Sequence, residues 1–272
     1  MKAKSGALAP VELPEVTISE SRGVRYLHLG TPWIQGAMRI DDPLALDLEY
    51  VQRMMAWLLF RAETDAALPD LAALHAVQLG LGAGAITRFC LHRLAMRTTV
   101  VELNPAVVAA CRMWFRLPDR VPALEVLTMD AAAYVADPAR RGSVDALCVD
   151  LYDHDAASPV LDSEAFYRGC HGLLADGGLM TVNLFGRDGS FERSGSRMAA
   201  AFGAASMRSF KPTREGNAIV LAMKHVTVPD GRALARRAEN IETRWQLPAR
   251  KWLRIMRAVS TLPTSLQSPA DP

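Results

Sequence analysis

The stretch that most constrains this chain is His75-Ala-Val-Gln-Leu-Gly80-Leu-Gly82-Ala-Gly84-Ala-Ile-Thr-Arg-Phe89. The apolar run 76–79 predicts a buried strand, three glycines at alternate positions predict a tight turn, and apolar periodicity over 86–94 predicts a helix. Glycines at such a turn allow a sharp bend and let a ligand approach the backbone where a Cβ would collide. The helix start adds unpaired N–H groups. A second β-branched strand, 98–102, ends in Glu102. That is about 20 residues past the glycines, where nucleotide-binding folds place a carboxylate on ribose hydroxyls.

The last glycine of the dinucleotide fingerprint is absent, because Ala85 and Ile86 follow Gly84. The spacing G-x-G-x-G suits an S-adenosylmethionine-type nucleoside, which has no pyrophosphate to cradle.

The rest of the chain reads as strands and helices in alternation. Before the glycine run, short strands at 16–19, 24–29 and 34–39 are separated by turn signals, Ser21-Arg-Gly23 and Gly30-Thr-Pro32, and predict a small antiparallel β unit. A helix over 46–60 follows. After Glu102 come a helix from Pro105 to about Phe115, a strand 124–128, a short helix 131–135 and a strand 146–149. Next are a helix 162–174 with Asp162 as its N-cap, a break at Gly177-Gly178, a strand 179–184 and a helix 190–202. Two final strands, 205–210 and 218–223, form a hairpin at one sheet edge. Apolar strands between helices mean a mainly parallel sheet covered on both faces, with ligands bound at the carboxyl ends of the strands. Gly80, Glu102, Asp130 and Asp150 all fall at such ends.

From Asp230 the composition shifts to two helices, 232–245 and 249–259, split by Pro248. Between His225 and Pro272 eight Lys or Arg face four Asp or Glu, while the whole chain of 272 residues carries only +2. Arg250, Arg254 and Arg257 share one face of the second helix and Trp252, Ile255, Met256 and Val259 the other, which predicts docking on the body with the basic face in water. Nucleic acid is not expected as a partner. Residues 1–13 and the tail after Leu262 read as loose. The first ten residues lack the apolar core of a secretory signal, and no apolar run reaches the length of a membrane span. The four cysteines, Cys90, Cys111, Cys148 and Cys170, are dispersed in apolar contexts and predict buried thiols in a reducing, cytoplasmic compartment. The histidines are scattered too, and no metal site is expected.

Three acids at successive strand ends carry the chemistry. Glu102 accepts from ribose hydroxyls. Asp130 accepts from an adenine amino group, with the Ala131 N–H facing a ring nitrogen, or caps a helix. Asp150 and Asp153 put two carboxylates at the exit of the fourth strand.

These residues resemble the spermidine synthase (polyamine aminopropyltransferase) family over about Val24 to Met223. The resemblance rests on the β unit with Gln35, the glycine loop, Val101-Glu102-Leu103-Asn104-Pro105, Met129-Asp130-Ala131 and Asp150-x-x-Asp153. It implies a class I methyltransferase-like (Rossmann-like) α/β fold: a seven-stranded, mainly parallel sheet behind a small N-terminal antiparallel β unit. The implied division is 1–60 for the β unit and linking helix, 61–228 for the nucleoside-binding domain and 229–272 for a helical extension and tail. It further implies transfer of an aminopropyl group from decarboxylated S-adenosylmethionine to a polyamine or similar amine, with methylthioadenosine as the other product, no metal, and a homodimer. Gln35, Gly80, Gly82 and Gly84 would contact the donor, Glu102 its ribose, and Asp130 with Ala131 its adenine. Asp150 would orient and deprotonate the amine, and Tyr50 and Asp153 would line its channel.

Three positions depart from the family pattern. Ala83 stands where the family loop carries an Asp that holds the donor's primary amine, Leu151-Tyr152-Asp153-His154 replaces Ser-Ser-Asp-Pro, and Tyr50-Val-Gln-Arg53 lacks the acidic Tyr-Gln-Glu pattern. The alternatives are an S-adenosylmethionine-dependent small-molecule methyltransferase and a nucleoside-binding relative without catalysis.

Overall fold

The computed structural model describes residues 13–61, 70–151, 161–185 and 188–259. Of the expected loose ends, 1–13 and the tail after Leu262, all but Leu13 lie outside the described residues, as does Asp153. The first element is a three-stranded antiparallel sheet, β1 (Val16–Ser21), β2 (Val24–Leu29) and β3 (Gly36–Arg39). The Arg22-Gly23 turn, both residues at positive φ, sets the register that pairs Ser21 with Val24 and Val16 with Leu29. Gln35 sits just before β3 rather than inside a strand beginning at Ile34.

The second sheet is built from β4 (His75–Leu79), β5 (Arg97–Glu102), β6 (Leu124–Thr128), β7 (Val144–Val149), β8 (Leu174–Phe185), β9 (Met207–Phe210), β10 (Asn217–Met223) and β11 (Met256–Ala258). Its order is β11-β9-β10-β8-β7-β4-β5-β6, with β6 through β8 parallel and β10, β9 and β11 antiparallel. Chain order reverses at β4, between β5 and β7. That is the switch point at which such sheets open a crevice at their carboxyl ends. The fold is the expected α/β, methyltransferase-like one, with eight strands instead of seven. The extra strand arises because α8 (Ala249–Ile255) stops four residues short of the helix expected to 259, and Met256–Ala258 pairs with β9. The β9–β10 hairpin therefore does not form the edge: β10 is bonded to β8 and β9, and β9 is covered by β11.

Other boundaries moved for local reasons. The segment 46–60 is α1 (Glu49–Met54) continued by a 3-10 turn, Met55–Leu59. The helix after the glycines is α2 (Ala85–Arg88) followed by a π turn, Phe89–Arg93. α3 (Pro105–Trp114) starts at Pro105 and is capped by Asn104, and α4 spans Ala131–Ala136. α5 (Glu164–Leu173) is capped by the Ser163 hydroxyl, not by Asp162. Asp162 is occupied elsewhere, accepting from the Tyr167 hydroxyl at 3.0 Å and from Arg197 at 2.5 Å. β8 runs through Gly177 and Gly178 instead of starting after them, at the cost of a bulge opposite Val144 and Ala146. α6 (Asp188–Phe202) and α7 (Gly231–Trp245) match expectation closely.

One face of the sheet packs Met54, Trp57, Phe60, Phe89, Trp245 and Trp252. The other packs Tyr134, Phe166, Tyr167 and Met198. A third cluster, with Leu27, Met38, Val100, Cys111 and Phe115, joins the small sheet to β5 and α3. All four cysteines are buried free thiols. The basic face of α8 is partly neutralised: Arg250 pairs with Glu242, and Lys251 with Glu49 at 2.7 Å. Among the described residues, no helix is long and apolar enough to cross a membrane.

Candidate active site

The glycine loop is threaded between two other backbones. Gly80 has φ +86°, and a Cβ there would stand 2.1 Å from the Asp150 carbonyl oxygen. At Gly82 (φ +50°) a Cβ would stand 2.9 Å from the Gln35 carbonyl oxygen, and one on Gly36 would stand 2.4 Å from the Ala83 nitrogen. Such separations are far inside van der Waals contact, so these glycines are required by protein backbone whatever the ligand. The expectation of close ligand approach did not include that reason. Gly84, at φ +70°, is the residue from which α2 starts.

Side chains hold the loop from beneath. The Gln78 amide donates to the Gly80 carbonyl at 2.6 Å and the Leu81 carbonyl at 3.2 Å, and its oxygen accepts from the Thr87 hydroxyl at 2.6 Å. Arg88, buried, donates to the carbonyls of Ala83, Phe115 and Pro43. Desolvation without a carboxylate partner pulls its guanidinium down to about 10. Glu102 accepts from the Leu81 and Asn104 N–H groups, each at 2.8 Å. Burial raises its carboxyl above the ordinary value, against the pull of those backbone donors. An ionised carboxylate has about four acceptor positions, so capacity for hydroxyl donors remains. Asp130 caps α4 through the Ala132 N–H at 2.7 Å, which is the expected capping role. The Met129 N–H donates to the Glu102 carbonyl, tying that strand end to the previous one.

Asp150 stands at the end of β7, its N–H donating to the Leu79 carbonyl at 2.8 Å. Its Oδ1 accepts from the Asn183 amide at 2.9 Å and its Oδ2 from the Tyr50 hydroxyl at 3.3 Å. Desolvation raises its carboxyl to about 6, opposed by Asn183 and then Tyr50. It is thus mainly a carboxylate at neutral pH but holds a proton more tightly than an exposed one, the property a proton-accepting group needs.

A cleft brings Gln35, Tyr50, Gly82 and Asp150 together, with Ala83, Asp47, Val51 and Gln78 also lining it. Its elements are the β2–β3 loop, α1, the glycine loop and the end of β7. Gly80 touches it through the Asp150 backbone, and Glu102 through Leu81. Asp130 and Ala131 stand one strand further out. Ala83 is buried against Gly36, so no carboxylate projects from that position. Sequence reasoning missed Asp47, Gln78 and Asn183. Gln78 and Asn183 had a visible signal: each is a polar residue with an apolar neighbour on both sides in its strand.

No family model matches the chain. Curated relatives do. The chain is 36% identical over 201 residues to a polyamine aminopropyltransferase of Neisseria meningitidis, covering 74% of this chain and 70% of that protein. To a polyamine aminopropyltransferase of Chromobacterium violaceum it is 33% identical over 237 residues, covering 86% of each. Among solved structures, a probable spermidine synthase from Corynebacterium glutamicum superposes with a TM-score of 0.67 at 20% identity, covering 93% of this chain and 95% of that one, a likeness of fold. At 33–36% identity over most of its length to these curated relatives, the chain belongs to the polyamine aminopropyltransferase family and is a transferase of that type.

Proposed function

We propose that the cleft binds decarboxylated S-adenosylmethionine and an amine and joins them at Asp150. The observation that carries this reading is the meeting of Asp150 with Tyr50 at 3.3 Å, in a cleft whose other walls are the glycine loop and Gln35. The glycine loop and Gln35 would hold the donor's thioether side, Glu102 its ribose, and Asp130 with Ala131 its adenine. Ala131 is buried at the start of α4, directly after the capping Asp130.

The acceptor arrives as an ammonium, since an alkyl amine has a pKa of about 10.4. Asp150 takes its proton. The freed nitrogen lone pair attacks the carbon next to the sulfonium, the carbon–sulfur bond breaks, and its electrons neutralise the sulfur as methylthioadenosine. Two cations share the cleft before the proton moves, so a fixed anion between them offsets their repulsion and lets both bind. Asp153 is assigned to the amine channel. Ala83 supplies no carboxylate to the donor's primary amine, which keeps S-adenosylmethionine itself, and methyl transfer, as the second reading.

The working unit is proposed to be a homodimer, divided as residues 1–60, 61–228 and 229–272, with a small-molecule amine as partner and neither nucleic acid nor membrane. Four buried free thiols suit a reducing, cytoplasmic setting. Calorimetric titration of one preparation with methylthioadenosine, S-adenosylhomocysteine and the decarboxylated donor tests the reading. Aminopropyl transfer requires that the decarboxylated donor and methylthioadenosine bind tighter than S-adenosylhomocysteine; the opposite order supports the methyltransferase.

A further inference from the structure

A line of buried polar side chains runs from the β9–β10 turn to Asp150. The Asn183 amide donates to Asp150 Oδ1 at 2.9 Å, and the Asn217 amide donates to Asn183 Oδ1 at 3.1 Å. The Thr213 hydroxyl lies 3.5 Å from Asn217 Oδ1, as donor to it, and its oxygen accepts from the Asn217 backbone N–H at 3.2 Å. Asn183, Asn217 and Thr213 are each no more than 7% exposed. β8 and β10 are paired there, with Asn217 opposite Phe185 and Asn183 opposite Ile219, so the sheet ladder fixes the spacing.

An asparagine amide has two ends of opposite polarity and equal size. Which end faces Asp150 is decided by what the other end bonds. An Asn183 with its NH2 toward Asp150 stabilises a carboxylate; the flipped amide presents an oxygen and stabilises the protonated acid. Every donor in the line points toward Asp150, and the last of them is the Thr213 hydroxyl.

We propose that Asn217 and Thr213 are positioning residues that lock the Asn183 amide with its NH2 toward Asp150 and so keep Asp150 a proton acceptor. This rests on the proposed function in taking Asp150 as the group that receives the amine's proton. Among the described residues, the groups facing Asp150 from the packed elements are Tyr50 on α1, Asp47 across the cleft, Cys148 on β7 and Asn183 on β8. Among the described residues no Lys, Arg or His bonds it. The two described side chains that donate to it, Asn183 and Tyr50, are both neutral, so the orientation of one amide matters.

The experiment titrates Asp150 directly in the full chain. Protein carrying carboxyl-labelled 13C aspartate is followed by NMR from pH 4 to pH 9, and the resonance lost in Asp150→Asn identifies Asp150. Thr213→Val keeps the shape and removes the hydroxyl. Asn217→Asp replaces the amide donor by a carboxylate that accepts, which turns Asn183 around. Both should move the Asp150 midpoint upward by about one pH unit, the scale of one lost hydrogen bond to a charge. Thr213→Ser should restore it. Thr213→Val tests the idea even where Asn217→Asp fails to fold. An Asp150 midpoint in Thr213→Val equal to that of the wild type overturns the proposal. Whether wild type forms methylthioadenosine from an amine is read separately, so failure of the functional reading is told apart from failure of the lock.

Discussion

Replacing Asp150 by Asn removes a group that the fold holds at a disadvantage. Burial raises its carboxyl from 3.8 to about 6. A carboxyl with a raised folded-state value binds its proton more tightly in the folded chain. Its contribution favours folding below pH 4, declines as the pH rises through 6, and above that leaves a constant penalty. At 1.36 kcal/mol per pH unit the separation corresponds to about 3 kcal/mol, and water at the partly exposed edge of the group brings this to roughly 1–3 kcal/mol. Asparagine has the same shape, accepts from Asn183 and donates to the Tyr50 oxygen, but never ionises. Asp150→Asn should therefore be more stable than the wild type by roughly 1–3 kcal/mol at pH 7.5, with that gain fading toward pH 4. Most substitutions at buried sites destabilise, so the sign itself is diagnostic. Urea unfolding of both proteins across this range measures it, and in the difference between them all other titrating groups cancel. A variant no more stable than wild type at pH 7.5, or one whose advantage does not change with pH, refutes the argument that Asp150 is a desolvated, strained carboxylate.

Two glycines, Glu102 and the state of assembly supply the remaining tests. Gly80→Ala should destabilise by more than about 2 kcal/mol, since left-handed strain alone is about 1–2 kcal/mol and the Asp150 carbonyl adds a collision. Gly142→Ala, at φ +66° with nothing near the added Cβ, should show the strain alone when both variants are compared in thermal melts. Glu102→Ala should weaken methylthioadenosine binding by about 1–3 kcal/mol in calorimetry through lost charged hydrogen bonds; unchanged affinity would remove Glu102 from the site. Light scattering should give the mass of a dimer at micromolar concentration, and a monomer at high concentration would count against the proposed assembly.

The sheet was legible because its signals are local. An apolar run, three glycines and Glu102 at a fixed distance specify a strand, a turn and a neighbouring strand without reference to the rest of the chain. β11 was not legible. Trp252, Ile255, Met256 and Val259 keep a helical period, and only pairing with Phe210 to Arg208, far away in sequence, turns Met256–Ala258 into a strand. Ser163 displaced Asp162 as the cap because Arg197 and Tyr167, from outside the capping turn, claim the Asp162 carboxylate. In the site, Asp150 and Tyr50 could be named from the family pattern, and the structure brings them together across 100 residues of chain. Asn183 and Asn217 went unread since a polar residue in an apolar strand acquires meaning only from what lies opposite it. The glycines were read for a sharp turn and a ligand's approach, and the backbones of Asp150 and Gln35 crowd Gly80 and Gly82 as well.

The most direct measurement is a product analysis. Wild type and Asp150→Asn are each incubated with decarboxylated S-adenosylmethionine and a panel of di- and polyamines, and in parallel with S-adenosylmethionine, and the products are separated and weighed by mass spectrometry. The account predicts methylthioadenosine and an aminopropylated amine in equal amounts from the wild type, with turnover lower by about 10² or more in Asp150→Asn, the scale of losing a general base. Full methylthioadenosine formation by Asp150→Asn, or S-adenosylhomocysteine with a methylated product from the wild type, would contradict it.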